Sequence, residues 1–180
     1  LIFTGSKEPF RFPDMRLAIE DGRGLVETDH GAVGIALAGG GALRDGFAGK
    51  LAAVAPDLEY GGCELGRMTL FGKVTVTGER PRFDGPVRLS GLTCPESDLR
   101  LAKADIAAKV TADVALNGAE GNLSLAAGAL SLAENRIGGV SGTTHFTFRQ
   151  GKLTARYDFA AKSLEAPQFK APKVALAGRV

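Results

Sequence analysis

The sequence predicts an all-β protein, mostly antiparallel, built from repeating hairpins with at most one or two short helices. Two observations lead there: long runs of period-two alternation, and turn-forming pairs spread along the chain. Alternation of apolar and polar residues marks strands that bury one face.

The alternating runs follow in chain order. Leu17 and Ile19 alternate with Arg16, Ala18 and Glu20, and Val33, Ile35 and Leu37 with Gly34, Ala36 and Ala38. Val74 and Val76 oppose Lys73, Thr75 and Thr77. From Asp105 to Asn117, Ile106, Ala108, Val110, Ala112, Val114 and Leu116 share one parity. Leu153, Ala155, Tyr157, Phe159 and Ala161 repeat the pattern. A sheet with one apolar and one wetted face follows, with Ile106, Val110, Val114, Phe146, Phe148, Leu153, Tyr157 and Phe159 expected together on the apolar side. Helix competes in two segments, 100–116 and 124–135, which are rich in Ala and Leu and place Ile106, Val110 and Val114 at i, i+4 and i+8. Their long alternation and their Val and Thr favour strand.

Asp21-Gly22, Asp45-Gly46, Asp84-Gly85 and Asn117-Gly118 tolerate the positive φ of tight hairpins, so turns are expected at all of them. Connections this short force antiparallel neighbours. The clusters Gly39-Gly40-Gly41 and Gly138-Gly139 lack the frame of a phosphate-binding loop and are expected in turns and bulges.

At 180 residues the chain fits one domain or one stretch of repeating sheet. A net charge of +2, with the signs interspersed, implies no basic patch for nucleic acid. Two Tyr and no Trp leave little to build a stacking platform for sugars or bases. No apolar run is long enough to span a bilayer as a helix. The opening Leu-Ile-Phe-Thr-Gly has neither an initiator Met nor the regions of a signal peptide, which suggests a segment of something longer.

Catalytic chemistry finds few candidates. His30 lies in the turn-like Asp29-His30-Gly31, and His145 has the opposite parity to Phe146 and Phe148, so it is expected in solvent. Neither stands in a metal-ligand frame, and no metal or cofactor is expected. Asp21, Asp45 and Asp84 are accounted for by turns, and Glu20, Glu27, Asp105, Asp113 and Asp158 by solvated strand faces. Cys63 and Cys94 both flank turn formers, which leaves open a disulfide or a pair of buried thiols.

The passages Leu43-Arg44-Asp45-Gly46-Phe47-Ala48-Gly49 and Arg80-Pro81-Arg82-Phe83-Asp84-Gly85-Pro86-Val87-Arg88-Leu89, the latter leading to Leu92-Thr93-Cys94-Pro95, resemble the periplasmic part of YdbH-type proteins of the AsmA-like group when taken with Gly61-Gly62-Cys63. The resemblance covers residues 15–102 best. It implies that residues 1–180 form a single segment of a longer periplasmic protein tethered to the inner membrane. That protein would be an elongated, curled β-groove whose apolar interior conducts phospholipid between the inner and outer membranes. It implies no catalytic residues. The expected partners are phospholipid acyl chains, other parts of the same chain and envelope proteins; a structural or protein-binding β-module of the envelope is the alternative. A periplasmic location also implies that Cys63 and Cys94 are joined in a disulfide, since such bonds persist there, a hairpin about Asp84-Gly85 being able to bring them together.

Overall fold

A computed structural model describes residues 11–180. The strands are β1 (Arg16–Thr28), β2 (Gly31–Ala42), β3 (Ala48–Ala55), β4 (Leu58–Tyr60), β5 (Cys63–Leu65), β6 (Met68–Thr77), β7 (Arg80–Leu89), β8 (Leu92–Cys94), β9 (Leu99–Leu101), β10 (Ala104–Ala112), β11 (Gly118–Ala127), β12 (Leu130–Leu132), β13 (Asn135–Arg149), β14 (Lys152–Ala166), β15 (Phe169–Ala171) and β16 (Val174–Arg179). Pro95–Ser97 form one turn of 3₁₀ helix, and the rest is a single antiparallel sheet that curls without closing. The helical alternative for 100–116 and 124–135 does not occur.

The sheet has two walls. The long wall runs β1-β2-β3-β6-β7-β10-β11-β13-β14-β16, and the short wall runs β4-β5-β8-β9-β12, then the first residues of β13, the last of β14, and β15. Only β13 and β14 cross from wall to wall as unbroken strands; elsewhere a residue pair such as Pro56-Asp57 or Ala102-Lys103 marks the crossing. Pairing persists through the corner: Gly66 N–H donates to Gly91 C=O at 2.9 Å, Ser90 to Arg67 at 3.0 Å, Ala102 to Ala129 at 3.0 Å and Gly128 to Lys103 at 2.9 Å.

One rule governs every crossing. Along a flat strand the residues facing one side are two apart. Across the corner they are three apart: Ala55 and Leu58, Leu65 and Met68, Leu89 and Leu92, Leu101 and Ala104, Ala127 and Leu130, Ile137 and Val140, Ala161 and Leu164, Ala171 and Val174. The registers stack these into two continuous rows. Ala55, Met68, Leu89, Ala104, Ala127, Val140, Ala161 and Val174 are successive cross-strand partners on the long wall. Leu58, Leu65, Leu92, Leu101, Leu130, Ile137, Leu164 and Ala171 are successive partners on the short wall. All are buried or half-buried, whereas the corner residues Pro56, Asp57, Arg67, Ser90, Ala102 and Lys103 between them are exposed. The extra residue turns outward and both apolar faces turn inward.

Four aromatic rings on the inner face of the long wall lie against glycines of neighbouring strands: Phe83 over Gly72, Phe146 over Gly121, Phe159 over Gly142 and Tyr157 over Gly178. A Cβ on Gly72 would stand 2.6 Å from the Phe83 ring, one on Gly178 2.6 Å from the Tyr157 hydroxyl, and one on Gly121 3.2 Å from Phe146. A ring laid on bare backbone keeps its area in contact with the sheet and supplies the packing that glycine lacks.

The turns depart from expectation in three places. Asp45-Gly46 falls in a turn over 43–46, as expected. Asp21-Gly22 does not turn: β1 continues through a bulge between Ile19 and Gly22, and the chain reverses at Asp29-His30, where Thr28 Oγ1 donates to Gly31 C=O at 2.8 Å. Asp84-Gly85 lies in mid-β7, where Asp84 sits between Lys73 and Lys109, and the hairpin turns instead at Gly78-Glu79, both at positive φ. Asn117-Gly118 is one turn's end only; the reversal occupies 113–117, with Leu116 at φ 57° and the Asp113 carboxylate accepting Asn117 N–H at 3.0 Å. Gly39-Gly40-Gly41 belongs to β2, where Gly39 lets the Gly49 backbone approach closely, whereas Gly138-Gly139 sits at the corner.

The ring-on-glycine floor has a direct test. Gly142→Val should destabilise by about 1–3 kcal/mol, since its added side chain would run into the Asp158 carbonyl as well as the Phe159 ring. Gly24→Val, whose added Cβ would meet nothing within 4 Å, should change stability by less than about 0.5 kcal/mol. Urea unfolding with unchanged slope gives both values; equal effects would mean that the sheet is not closely packed over Gly142.

Candidate functional site: an apolar trough

The concave side between the walls is an extended apolar face of the sheet. Ile106 stands between Val87 and Leu125, and Val110 between Phe83 and Gly121. Phe146 lies between Gly121 and Ala155, and Phe148 between Ala119 and Leu153. Tyr157 lies between Thr144 and Gly178, and Phe159 between Gly142 and Leu176, with the two rings stacked at 5.8 Å. These residues occupy the inner face of the long wall. Val114 does not: β10 ends at Ala112, and Val114 sits in the turn that the Asp113 side chain closes.

The short-wall row from Leu58 to Leu164 was not anticipated, although it forms half of the trough. Its signal is present in the sequence as the repeated i, i+3 apolar spacing at the corner, which period-two alternation passes over. The two walls meet around a pocket of about 260 Å³ whose lining includes Leu125, Val140 and Phe159 from one wall and Leu130, Ile137 and Leu164 from the other. Every lining residue is apolar.

This face is not a closed core. Among the described residues only Phe47, Ala55, Val76, Cys94, Ala104 and Ala108 form the buried apolar set, and no large side chain is fully buried. Leu153 is 58% exposed and Leu176 59%. The chain presents 12313 Å² to solvent, against about 8,300 Å² for a compact protein of 18.7 kDa.

The convex side carries cross-strand ion pairs, beside exposed Phe71 and Leu25. Arg88 pairs with Asp105 at 3.3 Å, Lys109 with Asp84 at 3.6 Å, and Glu120 with both Arg80 at 2.9 Å and Arg149 at 3.5 Å, each across a strand boundary. On the short wall the outward row reads Glu59, Glu64, Thr93, Arg100, Ser131, Arg136, Glu165 and Lys170. His145 faces out, with Nδ1 3.1 Å from Asn122 Oδ1. His30 contributes its carbonyl to Glu59 N–H at 2.9 Å and an edge contact to the Tyr60 ring. No group of three or more His, Cys, Asp or Glu is placed to hold a metal ion among the described residues, and no helix among them is long and apolar enough to cross a membrane.

Cys63 and Cys94 are joined in a disulfide with Cα atoms 4.1 Å apart. The bond sits at the rim of the short wall, where β5 and β8 share only the pairs Glu64–Thr93 and Leu65–Leu92. The hairpin that brings them together is β6–β7, turning at Gly78-Glu79. Closing a loop with a separation of 31 residues should contribute about 3–4 kcal/mol by chain entropy. Cys63→Ser/Cys94→Ser should therefore lower the urea midpoint. Neither thiol of the freshly isolated protein should react with an alkylating agent before reduction; labelling without reductant would rule the bond out.

No protein-family model matches the chain, and no curated protein or solved structure matches it either. What the trough does is therefore argued from its own chemistry.

Proposed function

We propose that the trough holds phospholipid acyl chains, as one segment of a longer periplasmic β-groove of the YdbH type that passes lipid between the inner and outer membranes. The observation that carries this reading is the pair of unbroken apolar rows facing each other across the corner, with no described segment filling the space between them. Eight strands at about 4.8 Å spacing give a trough roughly 34 Å long. One acyl chain spans only half of a hydrocarbon core about 30 Å thick, so a chain fits lengthwise. Each methylene taken from water contributes about 0.8 kcal/mol, and side chains without polar atoms demand no hydrogen bond in return. The charged convex face keeps such a segment wetted outside while the concave face is occupied. The disulfide suits an oxidising compartment.

Native mass spectrometry of the freshly purified chain should show bound phospholipid. Val110→Asp and Leu130→Asp, each placing a charge on one wall, should abolish it while circular dichroism still reports strand, because an unpaired charge against acyl chains is strongly unfavourable. If Val110→Asp leaves both melting temperature and lipid occupancy unchanged, the face is solvated and the reading fails. A wild-type chain that stays empty after incubation with phospholipid vesicles would favour a structural envelope module instead.

A further inference from the structure

The charges of the convex face are not evenly shared among its strands. The outward positions of β3, β6, β7 and β10, all inner strands of the sheet, carry six cations, Lys50, Lys73, Arg80, Arg82, Arg88 and Lys109, against two acids, Asp84 and Asp105. Both acids are already taken, Asp84 by Lys109 at 3.6 Å and Asp105 by Arg88 at 3.3 Å, and Arg80 is matched by Glu120 of β11. Lys50, Lys73 and Arg82 have no ion pair among the described residues. Lys50 and Lys73 are moreover register partners, and like charges directly opposite each other destabilise a sheet. Nothing on this face offsets that cost.

Among these cations stands the largest outward apolar side chain of the four strands. Phe71 is 58% exposed, although its chain neighbours Leu70 and Gly72 are half-buried and buried. Gly72 turns to the trough beside the Phe83 ring, so Phe71 points the other way. Its outward neighbours are short: Ala52 is its register partner, Thr69 stands two residues away on β6, and Val54 and Pro86 lie on the strands to either side. The ring therefore projects from a low floor. Lys73 is two residues further along β6, and Lys50 two residues from Ala52 along β3. A second copy of this face is a poor match, since its unpaired cations would meet their like. A folded acidic partner would need a cavity for the ring and carboxylates fixed opposite each cation. An anionic bilayer needs neither, because its headgroups move laterally and its interface admits an aromatic ring.

We propose that this patch docks the sheet on the surface of an anionic lipid bilayer, with Lys50, Lys73 and Arg82 reaching headgroup phosphates and Phe71 entering the interface. The patch lies on the outer side of the long wall. It concerns how this segment meets a membrane, and it stands or falls independently of what the trough holds.

The chain has no Trp, so F71W supplies a single fluorescent reporter. With dioleoylphosphatidylglycerol vesicles at about 0.1 M salt, the wild-type chain should cosediment, and the F71W emission should move to the blue and be quenched by lipid brominated on its acyl chains. Dioleoylphosphatidylcholine alone should bind roughly tenfold more weakly or less. Each cation near an anionic surface strengthens binding about fivefold, so K50Q/K73Q/R82Q should weaken cosedimentation roughly a hundredfold. R100Q/R136Q/K170Q removes the same charge from the outward row of the short wall and should change it less than about threefold, because screening confines each cation to its own side of the sheet. F71S, expected to weaken binding roughly tenfold, serves instead if the triple variant of the patch loses its strand signal in circular dichroism. Failure to cosediment with the anionic vesicles, an F71W emission that neither shifts nor is quenched, or equal weakening by the two triple variants would overturn the patch as a membrane site. Saturable binding of poly-L-glutamate without vesicle binding would overturn it too, in favour of an acidic polypeptide.

Discussion

Everything in this sheet depends on how its strands turn one shared corner. A single strand that bends is a local irregularity, but here the step from two residues to three recurs at each crossing from Ala55/Leu58 to Ala171/Val174, in register. Were one strand to cross in two residues, its inward side chains on one wall would face out, because a one-residue slip exchanges the faces of a strand. It would also misalign the carbonyls that pair Gly66 with Gly91 and Ala102 with Ala129 at the bend. The corner is therefore a collective constraint. It makes two apolar faces confront each other without a second sheet, and it fixes the trough along the direction in which strands succeed one another.

The width of the trough has a separate cause. Large side chains on both walls would ordinarily interdigitate and fill the interior. On the long wall the largest of them lie against glycine, with Phe83, Phe146, Phe159 and Tyr157 beside Gly72, Gly121, Gly142 and Gly178. On the short wall the row is aliphatic. The result is a lining that is apolar and continuous yet leaves most of its residues only half-buried. That state is tolerable to the backbone because the ladders satisfy it, and its unmet demand is for apolar contact alone.

The sequence shows the long wall and conceals the corner, for the same physical reason. Alternation reveals any strand that is straight, and so Leu153 to Ala161 and Ile106 to Ala112 are legible directly. At the corner the spacing becomes i, i+3, which is also the spacing of a helical face. Leu101 with Ala104 and Ala127 with Leu130 therefore lend a helical cast to the two segments where helix competed with strand. Asp-Gly pairs mislead for a different reason: Asp84 stands in mid-strand in register with Lys73 and ion-paired to Lys109, facts invisible to local turn chemistry. Val114 keeps the parity of β10 by accident, since Asp113 has already turned the chain with its own carboxylate. The pairing of the cysteines was open from the residues themselves and came only with the family resemblance.

The disulfide and the corner also explain each other's position. Strands of three residues do not hold together unaided, and the short wall consists of little else until β13 and β14 enter it at one end. There the wall inherits the stability of two unbroken strands. At the other end the β4–β5 hairpin touches the remainder through two register pairs with β8 and through the contacts of Tyr60 and Glu59 with His30. A cross-link between β5 and β8 strengthens the boundary where pairing is thinnest, and its place at the rim leaves the leucine row beneath it clear. The short wall is thus fastened at both ends by different means, covalently at one and by continuous backbone at the other, and the trough between them needs nothing in its interior to keep it open.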